Sequence, residues 1–148
     1  MTSAASKALI YRYYEEVWNQ RNLAVLDEII DLHHVRYETG TVRELVGPDG
    51  VKQFIQVFIA AFPDLHFSLE DVVAEGDRVA ARWVFQGTHD GYLRDIPPSG
   101  HSVMIPGISF ARVANNKFVE YWTSWDAFLL LNEIGAFDLD SSIENDQE

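Results

Sequence analysis

The sequence predicts an α+β domain in which a curved antiparallel β-sheet wraps around a long N-terminal helix. Two observations carry that reading. Through the first half of the chain apolar residues recur at helical spacing, whereas from Leu65 onward they alternate with polar ones as in strands. Helices that precede a run of hairpin-linked strands segregate to one face of the sheet, which is the α+β arrangement. No segment repeats and no linker divides the chain, so one domain over residues 1–137 is expected, followed by an acidic flexible tail at 138–148, "DLDSSIENDQE".

Leu9, Ile10, Tyr13, Tyr14, Val17 and Trp18 give the first helix a broad apolar face that only a large partner surface can cover. Asn22 can cap a second, shorter helix through Leu26, Ile29 and Ile30. The stretch "HHVRYETG" is short enough for one edge strand or a loop. In "GPDGVKQFIQVFIAAFPD", Val51, Phe54, Ile55, Phe58 and Ile59 fall on one helical face, with Pro48 suited to the first turn and Pro63 to the end.

Leu65, Phe67 and Leu69 then alternate with His66, Ser68 and Glu70 in a strand that ends at the turn "EGD". Val79, Ala81, Trp83 and Phe85 alternate in the next. "SVMIPGISFARVA" and "KFVEYWTSW" supply two more, joined by Asn115 and Asn116, which tolerate the positive φ of a two-residue hairpin. A short helix, "AFLLLNEIG", closes the domain at Gly135. Such a sheet can leave a cavity at one end of the wrapped helix. His89 shares the parity of Trp83 and Phe85, so an unbroken strand aims it at the same face, and "IPPSG" beyond it makes a rigid rim.

Composition narrows the function. With 47% hydrophobic residues the chain can bury a sizeable core. A net charge of −12 with no basic cluster argues against nucleic acid. There is no cysteine and no histidine pair at helical ligand spacing, and adjacent His33 and His34 point different ways; neither metal nor cofactor is expected. No apolar run approaches the roughly 20 residues needed to span a bilayer, and "MTSAASKALIYRYYEE" lacks a leader's apolar core. A soluble cytoplasmic protein is the expectation, with no membrane partner.

The run from "FPDLHFSLEDVV" through "GTHDG…PPSG", "GISFAR" and "KFVEYWTSWD", together with "EEVWNQRNLAVLDEII" upstream, resembles the SnoaL-like polyketide cyclase (ester cyclase) family. The resemblance implies the α+β cone or barrel of ketosteroid isomerase, and a cofactor-free cyclase that closes a ring in a small hydrophobic polyketide-like substrate. The reaction it implies is intramolecular aldol condensation, with a carboxylate as acid/base. By position after "VEYW" that carboxylate falls on Asp126, which also stands where an aspartate caps the last helix, and the two roles can coexist.

His89 is the second candidate, as a donor to a substrate oxygen or a partner of Asp126; it can equally be a strand-end histidine satisfied by backbone. Trp83, Phe85, Trp122, Trp18 and Ile108 are the candidate pocket residues, and burial beside tryptophans would raise the Asp126 pKa. Asp95 and His101, on the rim, depart from the family pattern and leave the substrate open. Hydroxylase, hydratase or epoxide hydrolase chemistry, or binding without catalysis, remain alternatives on this fold. Helices can cover only one face of the sheet, so a homodimer through the outer face is expected.

Overall fold

The computed structural model describes residues 1–38 and 44–136; the domain's expected end at Phe137 and the tail over 138–148 lie outside the described residues. Helix α1 (Ser3–Tyr11) starts on Thr2, whose hydroxyl accepts from the Ala5 amide, and continues as a π-helical stretch, Arg12–Asn19. Tyr13, Tyr14, Val17 and Trp18 of that stretch are all buried. A 3-10 turn leads into α2 (Leu26–Ile29), and Ile30, expected to extend that helix, instead opens strand β1 (Ile30–Glu38). There follow β2 (Glu44–Val46), α3 (Gly47–Ala61), β3 (His66–Glu75), β4 (Arg78–Thr88), β5 (Ser102–Ala114), β6 (Lys117–Trp125) and α4 (Ala127–Glu133).

The strands form one six-stranded sheet in the order β2-β1-β6-β5-β4-β3. Two expectations are corrected here. The stretch containing "HHVRYE" is neither a loop nor an edge: β1 lies between β2 and β6. It runs parallel to β6, so the sheet is mixed rather than wholly antiparallel. The reason is connectivity, since β1 and β6 are separated by most of the chain and no hairpin constrains their direction. Among the described residues β2 and β3 are the two edges, and the sheet is not closed into a barrel.

The helical layer covers the inner face. Along β5 the buried positions are Val103, Ile105, Gly107, Ser109, Ala111 and Val113, each facing the helices. The end of the π-helical stretch is pinned to β3 by Asn19, whose amide nitrogen donates to the Phe67 carbonyl (2.9 Å) and whose oxygen accepts from the Phe67 amide (2.8 Å). Arg21, at φ +62, donates to the carbonyls of Trp18, Pro63 and Leu65. Gly91 brings the loop after β4 against the end of α3: its amide donates to Ala61, and a Cβ there would sit 1.9 Å from the Ala60 carbonyl oxygen. Only glycine fits. No helix among the described residues is long and apolar enough to cross a membrane.

Beneath α3, the inner face of β1 carries His34, Arg36 and Glu38, all buried. His34 is 1% exposed, with neither ring nitrogen partnered among the described residues. Burial first, and Arg36 second, push its pKa from 6.5 down to about 4. The folded protein therefore holds a neutral imidazole in a window where the unfolded chain binds a proton. Stabilisation from this difference is complete above about pH 6.5 and is lost as pH falls towards 4, because the unfolded state binds more protons there. Urea unfolding should show a loss of about 2 kcal/mol between about pH 7 and 5 from this group, and His34→Phe should flatten that limb. An acid limb unchanged in the variant would assign the loss to other groups.

Candidate functional site

Where the inner face meets α3, α4 and the loop after β4, an open cleft of about 710 Å³ lies beside a smaller inner chamber of about 40 Å³. Phe54, Phe58, Trp125 and Leu130 border both, so their side chains divide two adjoining spaces. Ligand pockets commonly measure ~300–1,000 Å³. The cleft falls in that range; the chamber has room for about two or three waters. Leu93, Arg94, Asp95 and Ile96 form the cleft's rim, and Glu38 and Gln53 add polar groups to a largely apolar wall. The chamber is walled by aromatic rings, with Tyr14, Arg36 and Thr123 as its polar members.

Two polar groupings occupy this region. Arg36 donates through Nε to Glu38 Oε1 (2.6 Å) and through one Nη to the Tyr13 hydroxyl (2.6 Å), and its guanidinium lies 4.7 Å from the Tyr121 ring centre and 4.9 Å from that of Phe54. Burial opposes its charge, but the phenols and Glu38 outweigh burial and raise its pKa. Trp125 Nε1 donates to Glu38 Oε2 (3.0 Å), so both carboxylate oxygens are engaged. The second grouping centres on Ser109. Its hydroxyl accepts from Trp83 Nε1 (2.9 Å) and bonds to the Tyr14 hydroxyl (2.8 Å) and to Thr123 (3.1 Å), while Tyr14 also meets the Tyr121 hydroxyl at 2.5 Å. Burial raises the pKa of both phenols, which stay protonated and able to donate.

Of the candidate pocket residues, Trp18, Trp83 and Phe85 line the chamber. Ile108 and Trp122 do not. Ile108 is 57% exposed on the outer face of β5, and Trp122 lies on that same face, stacked on Tyr37. Both have the parity opposite to the buried Ser109 and Tyr121.

Asp126 is exposed and lines neither cavity; it caps α4, its Oδ1 accepting from the Leu129 amide at 2.8 Å. The expected burial beside tryptophans is absent because the chain turns outward after Trp125 to start the helix. His89 is fully buried yet also lines neither cavity. Strand β4 ends at Thr88, and the His89 ring turns to the loop, where Nδ1 accepts from the Ser99 amide (3.1 Å) and bonds to the Ser99 hydroxyl (2.9 Å). Burial first, then His101, lowers its pKa, which keeps Nδ1 free to accept. His89 thus latches the "PPSG" segment, and His101 Nδ1 donates to the Glu133 carbonyl (2.8 Å), tying the far end of the rim to α4.

The polar residues that the site does contain, Arg36 and Glu38 above all, are invisible to alternation analysis. In "HHVRYE" the polar residues look solvent-facing and Val35 and Tyr37 look buried, yet His34, Arg36 and Glu38 are buried and Val35 and Tyr37 only half-buried.

A family profile described as SnoaL-like polyketide cyclase matches residues 8–134. Among solved structures, a provisionally assigned SnoaL-like polyketide cyclase from Jannaschia sp. CCS1 superposes with a TM-score of 0.84 at 22% identity, over 92% of this chain and 95% of that one, a likeness of fold. AclR from Streptomyces galilaeus, provisionally assigned as a hydroxylase, gives 0.80 at 27% identity over 93% of this chain and 100% of its own. IdmH from Streptomyces antibioticus, provisionally assigned as a polyketide cyclase, gives 0.77 at 29% identity over 88% of this chain and 98% of its own. No curated protein matches the chain significantly.

One backbone position keeps the chamber in shape. Gly107 faces Trp83 across β4 and β5, and a Cβ there would lie 2.2 Å from the indole. Gly107→Ala must therefore displace the ring that donates to Ser109, at a cost of about 1–3 kcal/mol as in other overpacked cores. Thermal unfolding should show the loss and near-ultraviolet circular dichroism a changed tryptophan signal; an alanine variant with wild-type stability and spectrum would contradict the packing.

Proposed function

The chain belongs to the SnoaL-like polyketide cyclase family, and we propose that it closes a ring in a small apolar polyketone by cofactor-free intramolecular aldol condensation in the cleft, with Glu38 as the acid/base carboxylate. One observation supports this choice of residue: Glu38 is the only buried carboxylate among the described residues, and it lines the cleft. In the step, a carboxylate oxygen takes the proton α to one carbonyl and the resulting carbanion attacks a second carbonyl carbon of the same molecule. A carbon–carbon bond forms, and the new alkoxide takes the proton back. No oxidant or reductant is needed. Arg36 and Trp125 orient Glu38, His89 positions the rim by its bond to Ser99, and Asp126 acts as a helix cap.

A non-catalytic binding role is the second reading. It is favoured by the hydroxyl cluster around Ser109, whose members satisfy one another rather than facing the cleft unpaired.

Glu38→Gln keeps an acceptor for Arg36 or Trp125 but removes the base. Ring closure of an aryl polyketone ester by the folded variant should slow by at least about a hundredfold. Asp126→Asn should leave the rate nearly unchanged, and Asp126→Ala should lose only ~0.5–2 kcal/mol of stability. A folded Glu38→Gln variant with full activity would remove Glu38 from the chemistry; loss of turnover in Asp126→Asn alone would move the base to Asp126. Should both variants and the parent chain bind the ester without converting it, the binding role stands.

We also propose that the protein is a homodimer through the outer face of the sheet, where Met104, Ile108 and Phe110 are exposed in a row beside Trp122. Sedimentation at on the order of ten micromolar should show a dimer, and Ile108→Lys should shift it to monomer. A monomeric parent chain would refute the interface.

A further inference from the structure

One residue of the inner chamber's wall carries an unused donor. Trp18 lines the chamber at 3% exposure, and its indole N–H, which can only donate, has no partner among the described residues. The other two indoles of this region are committed, Trp83 to Ser109 and Trp125 to Glu38. Trp18 has little freedom to find a partner of its own. Its carbonyl is held by Arg21, the next residue is bonded to β3 on both sides of its amide, and its ring packs 4.8 Å from Phe67 and 6.5 Å from Phe58. A buried donor left unpaired is unfavourable, and folded proteins seldom retain one unless water or a ligand meets it.

The space beside it is small and adjoins the cleft, with Phe54, Phe58, Trp125 and Leu130 lining both cavities. Arg36 in the chamber wall adds a positive charge that favours an electron-rich oxygen. A polyketone threaded from the cleft would present a terminal acetyl group of about this size, with one acceptor oxygen and no donor.

We propose that the chamber is the subsite for the acetyl end of the ligand, whose carbonyl oxygen accepts from Trp18 Nε1–H. Trp18 then sets how far the chain enters and so which carbons remain in the cleft beside Glu38. The ligand class rests on the polyketone reading above; the subsite does not depend on Glu38 acting as a base.

The probe is 1-phenylbutane-1,3-dione, with butylbenzene as an oxygen-free analogue of the same length, titrated into the ¹⁵N-labelled full chain. The Trp18 indole signal, assigned by its absence in Trp18→Phe and by its contacts to Phe67, should move downfield and saturate with the diketone but not with butylbenzene. Trp18→Phe should bind the diketone about tenfold more weakly, the effect of one lost hydrogen bond, and butylbenzene as before. If the diketone moves the Trp125 signal while leaving Trp18 still, the subsite is wrong although the cleft binds polyketones. If it moves neither, the subsite and the ligand class fall together. An inactive Glu38→Gln variant that still shows the Trp18 shift separates the binding claim from the catalytic one.

Discussion

A cation buried in the centre of the molecule is the constraint on which the rest depends. Arg36 stands on the inner face of β1, beneath α3, only 5% exposed. Its charge is met by Glu38, by the Tyr13 hydroxyl and by the rings of Tyr121 and Phe54. Removing one member of a buried ion pair typically costs ~3–5 kcal/mol, whereas replacing both by apolar groups is often neutral or favourable. The pair is therefore poor value as a source of stability. What it does achieve is placement: a carboxylate that would otherwise leave the interior is kept there, at the border of the cleft, with both oxygens engaged.

The arrangement around the pair follows from satisfying it. Tyr13 and Tyr14 are neighbours on the π-helical stretch, and their hydroxyls serve different groupings, Tyr13 bonding to Arg36 and Tyr14 to Ser109 and Tyr121. Ser109 in turn takes the Trp83 N–H, and Gly107 leaves the room that lets the Trp83 indole lie across β5. Polar groups and aromatic walls are thus mutually dependent, and the small chamber is the space left once these bonds are made. The rim obeys a separate logic: His89, Ser99, His101 and Gly91 hold the loop by hydrogen bonds and close backbone approach.

Much of the fold was legible because it depends on local period. The helical repeat from Leu9 to Trp18, the alternation from β3 to β6 and the Asn115–Asn116 turn, where both residues take positive φ, are properties of neighbouring residues. The long first helix, the four strands from β3 to β6 and the capping role open to Asp126 all follow from that level. Membership of the SnoaL-like family was carried by motifs that lie on the same elements.

What the chain alone determined, then, is where most of the helices and strands lie and which of their residues share a face. Which face is turned inward was decided only by the tertiary structure, because that depends on where the helices lie. Ile108 and Trp122 have a consistent parity but fall on the side that no helix covers. The direction and neighbours of β1 are likewise set by pairing with β6, from the far end of the sequence, and that pairing turns Arg36 and Glu38 inward against the polarity of their own strand. Period-two alternation is symmetric under exchange of the two faces. A non-local contact is what breaks the symmetry, and here it is the one that places the buried charge.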